Sequence, residues 1–139
     1  MIRLSKLTDY AVVILSDMAS HNQGQLVTAS IISARTHLPE PTVSKVLKLL
    51  AKGHIILSTR GAGGGYRLDK TPDSISIADV ITVLEGPLAL TACAEGKEGT
   101  CAHEKNCAVK GKWNPVNIAM RQALEKVTLT QMISGGMML

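Results

Sequence analysis

From His54 to Lys70 the chain reads HIILSTRGAGGGYRLDK. Two short β-prone runs, Ile55–Thr59 and Tyr66–Leu68, flank a stretch holding Gly61, Gly63, Gly64 and Gly65. Such a segment predicts a two-stranded hairpin whose tip is almost bare of side chains. An isolated hairpin of this length has too little face to be stable, so it must lean on something else in the chain.

What precedes it supplies the support. Leu7, Tyr10, Ala11, Ile14, Leu15 and Met18 recur at helical spacing and predict a helix from Lys6 to about His21, stopped by Asn22–Gln25. Thr28 is placed to cap a short helix through Ala29, Ile31, Ile32 and Ala34. A turn from Arg35 to Glu40 follows. Then PTVSKVLKLLAKG separates into an apolar face (Val43, Val46, Leu47, Leu50) and a polar face (Thr42, Lys45, Lys48, Lys52), with Gly53 as its terminator. Three helices and a glycine-tipped ribbon in that order predict a mainly α fold, a winged helix-turn-helix over residues 1–70. Residues 71–139 follow as a second unit, with a helix capped by Ser76 and Asp79, a polar loop at 91–111, a long helix from about Lys112 to Lys126 and a short segment Leu129–Ile133. The long helix carries Trp113, Val116, Met120, Ala123, Leu124 and Val127 in register.

Charge is unevenly shared. Residues 1–70 hold nine Lys/Arg and four Asp/Glu, a balance of +5; residues 71–139 hold six and seven, a balance of −1, which together give the +4 of the whole chain. A basic first half predicts a polyanionic partner. In a winged helix-turn-helix, Thr42, Ser44 and Lys45 fall where base edges are reached, Lys48 and Lys52 where phosphates are met, and Thr28 at the cap of the preceding helix. The bare tip at Gly63 and Gly64 could approach a sugar–phosphate surface, with Arg60 and Arg67 on either side. A nucleotide-phosphate loop is excluded by context: Tyr66 stands where the third glycine of GxGxxG belongs, no helix follows, and there is no GK[ST].

All three cysteines, Cys93, Cys101 and Cys107, lie in TACAEGKEGTCAHEKNCAVKG. The opening residues do not read as a signal peptide, and no run approaches the ~20 apolar residues of a membrane span. A cytoplasmic location is expected, where thiols stay reduced and a cysteine cluster points to metal or redox chemistry. Seven residues separate the first pair and five the second, with no CxxC knuckle. That spacing favours an iron–sulfur cluster over a single zinc ion. No catalytic constellation stands out, and His21, His37, His54 and His103 read as structural or solvated, so no enzyme and no small-molecule substrate are expected.

The residues LTDYAV (7–12), the helix-turn-helix from Thr28 to Lys52, STRGAGGGYRL (58–68), SIADVITVLEG (76–86) and the three cysteines together resemble the winged-helix regulators that sense iron–sulfur clusters, the group containing IscR and NsrR. LTDY and CAVKGKW bring the chain nearest to the regulators of the SUF cluster-assembly operon. The resemblance implies a homodimer paired through its long C-terminal dimerisation helix on a palindromic double-stranded operator, a 2Fe–2S or 4Fe–4S cluster held by Cys93, Cys101 and Cys107, and repression of cluster-assembly genes. The histidine that IscR carries three residues after its last cysteine is Lys110 here. The NsrR-like alternative, an aspartate in the TDY motif, is Asp9, which the resemblance places ahead of His103 and Glu104 as fourth ligand. Its first cysteine spacing, seven residues, exceeds the five of IscR, which leaves the cluster type open. Two other readings stand beside this one: a thiol-redox or metal-ion-responsive repressor, and a small electron-transfer or metal-carrier protein.

Overall fold

The computed structural model describes residues 5–21, 24–86 and 113–133. The order of elements is α1 (Lys6–His21), α2 (Ala29–Thr36), α3 (Glu40–Lys52), β1 (Ile56–Thr59), β2 (Gly65–Leu68), a 3-10 turn (Pro72–Ser74), α4 (Ile77–Glu85), α5 (Asn114–Glu125) and α6 (Leu129–Ile133). This is a winged helix-turn-helix with helices added after the wing.

Local chemistry explains where the helices begin. Thr28, in extended backbone, accepts a hydrogen bond from the Ile31 amide at 3.3 Å and starts α2. Ser76 accepts from the Asp79 amide at 3.1 Å while the Asp79 carboxylate accepts from the Ser76 amide at 3.3 Å, a complete capping box for α4. Pro41 sits in the first turn of α3, where its missing N–H costs nothing.

The turn between α2 and α3 is tighter than the sequence suggests. Helix α2 continues through Thr36, and only His37, Leu38 and Pro39 connect it to α3. His37 adopts φ 63 and ends α2. Helix α3 ends at Gly53 as expected, but Gly53 has φ −84, and the left-handed residue is His54 at φ 63. Gly53 is therefore not needed for its backbone angles, and its reason lies in packing.

The core is aliphatic. Ala11, Ile14, Leu15 and Met18 of α1, Ile32 of α2, and Val43, Val46, Leu47 and Leu50 of α3 are buried together with Val27, Ile55, Ile56, Ile75, Val80 and Leu129. Every member of the expected apolar face of α3 is inside it. At the edge, the buried Asp17 carboxylate meets Arg35 Nη2 at 2.8 Å and His21 Nδ1 at 3.3 Å, tying the end of α1 to the end of α2.

Two backbone bridges join what the sequence leaves separate. Val27 and Tyr66 exchange both N–H···O bonds at 2.8 Å, attaching the stretch before α2 to β2. Ser76 and Thr128 form a second bridge, in which the Ile77 amide donates to Val127 O and the Leu129 amide to Ile75 O, each at 2.8 Å.

Helix α5 departs from the expectation of a long helix. It spans 12 residues against the 16 of α1, and the one residue it buries is Asn117. Trp113, Val116 and Ile118 are 40%, 47% and 49% exposed. Of the expected apolar stripe, Trp113, Val116 and Ala123 are exposed and Met120, Leu124 and Val127 half-buried, and none belongs to the core.

Candidate nucleic-acid interface

Burial of one face of α3 fixes the direction of the other. With Val43, Val46, Leu47 and Leu50 held inside, Lys45, Lys48 and Lys52 are exposed along the opposite side, and Thr42 and Ser44 are half-buried near its start. The wing rises beside the C-terminal end of this face. It is antiparallel, with Ile56 opposite Leu68, Leu57 opposite Arg67, Ser58 opposite Tyr66 and Thr59 opposite Gly65.

Between the end of α3 and the wing runs an open groove of about 610 Å³. Lys48 and Lys52 line one wall, and Arg60, Gly64 and Tyr66 line the other with Ser58 and Thr59. Two lysines and an arginine border one groove together with two hydroxyls and glycine backbone. That combination suits a phosphate chain, because cations supply the attraction and small polar groups supply hydrogen bonds without blocking approach.

The structure sorts the sequence-derived candidates. Lys48, Lys52, Arg60 and Gly64 come together at the groove. Lys45, Thr42 and Ser44 lie farther toward the start of the same helix. Thr28 is exposed but its hydroxyl oxygen already serves the α2 cap. Gly63 sits at the tip with nothing near its Cα face and without a left-handed φ, so the fold itself does not demand glycine there. Arg67 alternates with Tyr66 along β2 and is not part of the groove lining. Sequence reasoning missed Ser58, Thr59 and Tyr66. The signal was available: Ser58 and Tyr66 form a cross-strand pair, and alternation puts them on one face.

Gly65 fixes the wing to the body. Its φ is +156, and a Cβ there would lie 2.7 Å from Val27 O, which is the acceptor in the bridge to Tyr66. Gly65→Ala is expected to push β2 off Val27 and tilt the wing. DNA affinity should fall at least tenfold while urea unfolding shows a smaller change, and fluorescence anisotropy with a labelled operator measures it.

The candidate metal ligands are divided. Asp9 is exposed in the first turn of α1 and borders a groove of about 420 Å³ with Ser5, Thr8, Val12, Ile77 and Met132. Cys93, Cys101 and Cys107, with His103 and Glu104, lie outside the described residues. Among the described residues no three His, Cys, Asp or Glu side chains group as a metal site. Near Asp9 the Glu85 carboxylate, at the end of α4, accepts from the Thr8 hydroxyl at 2.6 Å and from the Ser5 amide at 3.1 Å. An anion at the start of α1 is favoured by the exposed amides of its first turn.

Among the described residues no helix is long and apolar enough to cross a membrane. A family model described as Rrf2, an iron-dependent transcriptional regulator, matches residues 4–135. The HTH-type transcriptional regulator IscR of Sodalis glossinidius (strain morsitans) is 30% identical over 132 residues, covering 95% of this chain and 79% of that protein. IscR of Yersinia pestis shows the same identity and coverage. Among solved structures, CymR (YrzC) of B. subtilis, described as its global cysteine regulator, is similar with a TM-score of 0.72 at 26% identity, over 97% of this chain and 98% of the other. T. potens IscR is similar with a TM-score of 0.67 at 28% identity, over 98% and 89%. The named relatives regulate transcription and are not enzymes, in agreement with the lack of any catalytic constellation in the sequence. On its basic groove, its winged helix-turn-helix and these likenesses, the chain belongs to the Rrf2 family of DNA-binding transcriptional regulators.

Proposed function

We propose that this regulator binds a palindromic double-stranded operator as a homodimer, under the control of an iron–sulfur cluster held by Cys93, Cys101 and Cys107 with Asp9 as the fourth ligand, and that it represses genes of cluster assembly. The observation that carries the DNA part is the groove in which Lys48 and Lys52 of α3 face Arg60 of the wing. Lys45, Thr42 and Ser44 read base edges from the start of α3. Gly63, glycine where the fold permits any residue, lets the tip close on the sugar–phosphate surface.

The exposed apolar residues of α5 support a second copy of the chain as partner. Trp113 and Val116 lie at its start, with Ile118 farther along, and Val13 of α1 and Met132 and Ile133 of α6 are exposed as well. Covering such surface is favourable at roughly 25 cal/mol per Å². A second copy would set two recognition helices at the spacing of a palindrome.

The donor set fits a cluster. Three thiolates are soft ligands, and a carboxylate in the remaining position holds more weakly than a fourth thiolate would. When bound, the cluster supplies sensitivity to iron supply, oxidants and nitric oxide. The chain's own part is to bring Asp9, on a helix start already tied to α4 by Glu85, toward the three thiolates.

The likeness to CymR, described as a cysteine regulator and also known in an oxidized form from Staphylococcus aureus, favours a second reading in which the thiols themselves respond to redox or sulfur status. Anaerobic purification separates the two. On the cluster reading, the protein carries iron and sulfide, and Cys101→Ala loses both along with any difference in operator affinity between cluster-bound and apo forms. Asp9→Ala retains thiolate ligation but releases iron faster. Protein that holds neither iron nor sulfide, yet changes its DNA affinity on thiol oxidation, would overturn the cluster reading in favour of the second.

A further inference from the structure

Gly53, at the end of α3, has φ −84 and ψ 4, a backbone open to residues other than glycine, so its lack of a side chain answers to packing. A Cβ built on it would lie 2.5 Å from Val83 Cγ2 and 2.7 Å from Val83 Cγ1. The last turn of the recognition helix therefore rests directly on the Val83 side chain of α4, with no layer of atoms between them. Lys48 and Lys52, in that same last part of α3, line the DNA groove.

Helix α4 is held differently at its two ends. Its start is pinned by the capping box and by the bridge between Ser76 and Thr128. Its end is held by Glu85, an exposed residue whose carboxylate accepts from Thr8 and Ser5 at the start of α1, beside Asp9. Gly86 follows, and the chain goes on from there to the cysteines. Between these two ties Val80 is buried, and Val83 and Leu84 pack against the core. Val83 lies two residues before Glu85, so a change at that tie reaches α3 through side chains already in contact. Packed interiors transmit such displacements because they have no slack to absorb them.

We infer that Val83 is the positioning residue through which α4 sets the attitude of the recognition helix, with Glu85 as the tether that ties the end of α4 to the start of α1. This rests on the cluster-controlled reading above, and it adds the route by which control reaches the DNA. The coupling is a ratio: operator affinity of the cluster-bound protein over that of the apo protein. Removing the contact should shrink the ratio without removing the cluster.

The test measures that ratio by anisotropy, under anaerobic conditions, for the full chain and for Val83→Ala, Val83→Thr and Glu85→Gln, with iron and sulfide content and visible absorbance recorded alongside. Val83→Ala opens a gap against Gly53 and should bring the ratio at least threefold closer to one, with metal content unchanged. Val83→Thr keeps the branched shape at a half-buried site and should keep the ratio. Glu85→Gln weakens the tether and should shift the ratio in the same direction as Val83→Ala. If Val83→Ala retains the full ratio, the proposed route is wrong while cluster control stands. Equal affinities for the two forms of the unsubstituted protein would instead remove cluster control itself, and this route with it.

Discussion

Leu47→Ala is expected to lower the unfolding free energy by about 2–5 kcal/mol, the range for deleting a fully buried leucine side chain. Leu47 is completely inaccessible and sits in the middle of α3, on the face that anchors the recognition helix. The loss combines the transfer energy of the deleted carbons with the cavity they leave. Urea denaturation at one fixed protein concentration measures it, the concentration being held because a dimer's apparent stability depends on it. Lys45→Ala, two residues away on the exposed face, should change stability by no more than about 0.5 kcal/mol. If the two variants unfold alike, the division of α3 into an anchored and a free face is wrong.

The second large effect concerns salt. Lys48→Ala, Lys52→Ala and Arg60→Ala combined in one chain remove three cations from each groove, and six from a dimer. With a slope change of about 0.9 per phosphate contact, the plot of log affinity against log salt should flatten by about 5 units. Preference among operator sequences should change little, since on the proposed reading these groups meet phosphates. Arg67→Ala is the informative control. It carries the same charge on the same strand but lies outside the groove lining, so it should flatten the slope by less than Arg60→Ala does. Equal effects of the two would mean that the nucleic acid does not run through the groove.

Much of the fold was legible because the signals were local. The apolar spacing along Leu7–Met18 gave α1 at its observed bounds, Thr28 and Ser76 gave the starts of α2 and α4, and the two faces of α3 followed from residue order alone. What escaped was pairing at a distance. Nothing in the sequence near Val27 announces Tyr66, because a two-residue bridge has no periodicity. The same holds for Ser76 with Thr128, and for Asp17, whose burial depends on Arg35 arriving from another helix. Gly53 shows how one letter can carry two reasons. It read as the terminator of α3 and does end that helix, yet the left-handed residue is His54 and the glycine answers to Val83.

The site divides along the same line. Lys48, Lys52 and Arg60 could be chosen from charge and order, but their convergence on one trough needs the wing's register, which is a tertiary fact. Helix α5 was read as an apolar stripe, and it is one. Its exposure in a single chain follows from a rule the stripe itself does not state: apolar periodicity says that a face needs covering, not by which molecule.

The paired amides and carbonyls of Val27 and Tyr66 bear on how such a reader could be re-engineered. The ribbon is stitched to the stretch that immediately precedes the second helix, so it is not a detachable module. A transplant of residues 55–68 into another scaffold would arrive without its mooring unless the short stretch around Val27 travelled with it. By the same logic, a designer seeking a different operator could vary the exposed face of the lysine helix alone, but would have to exchange ribbon and mooring as one piece.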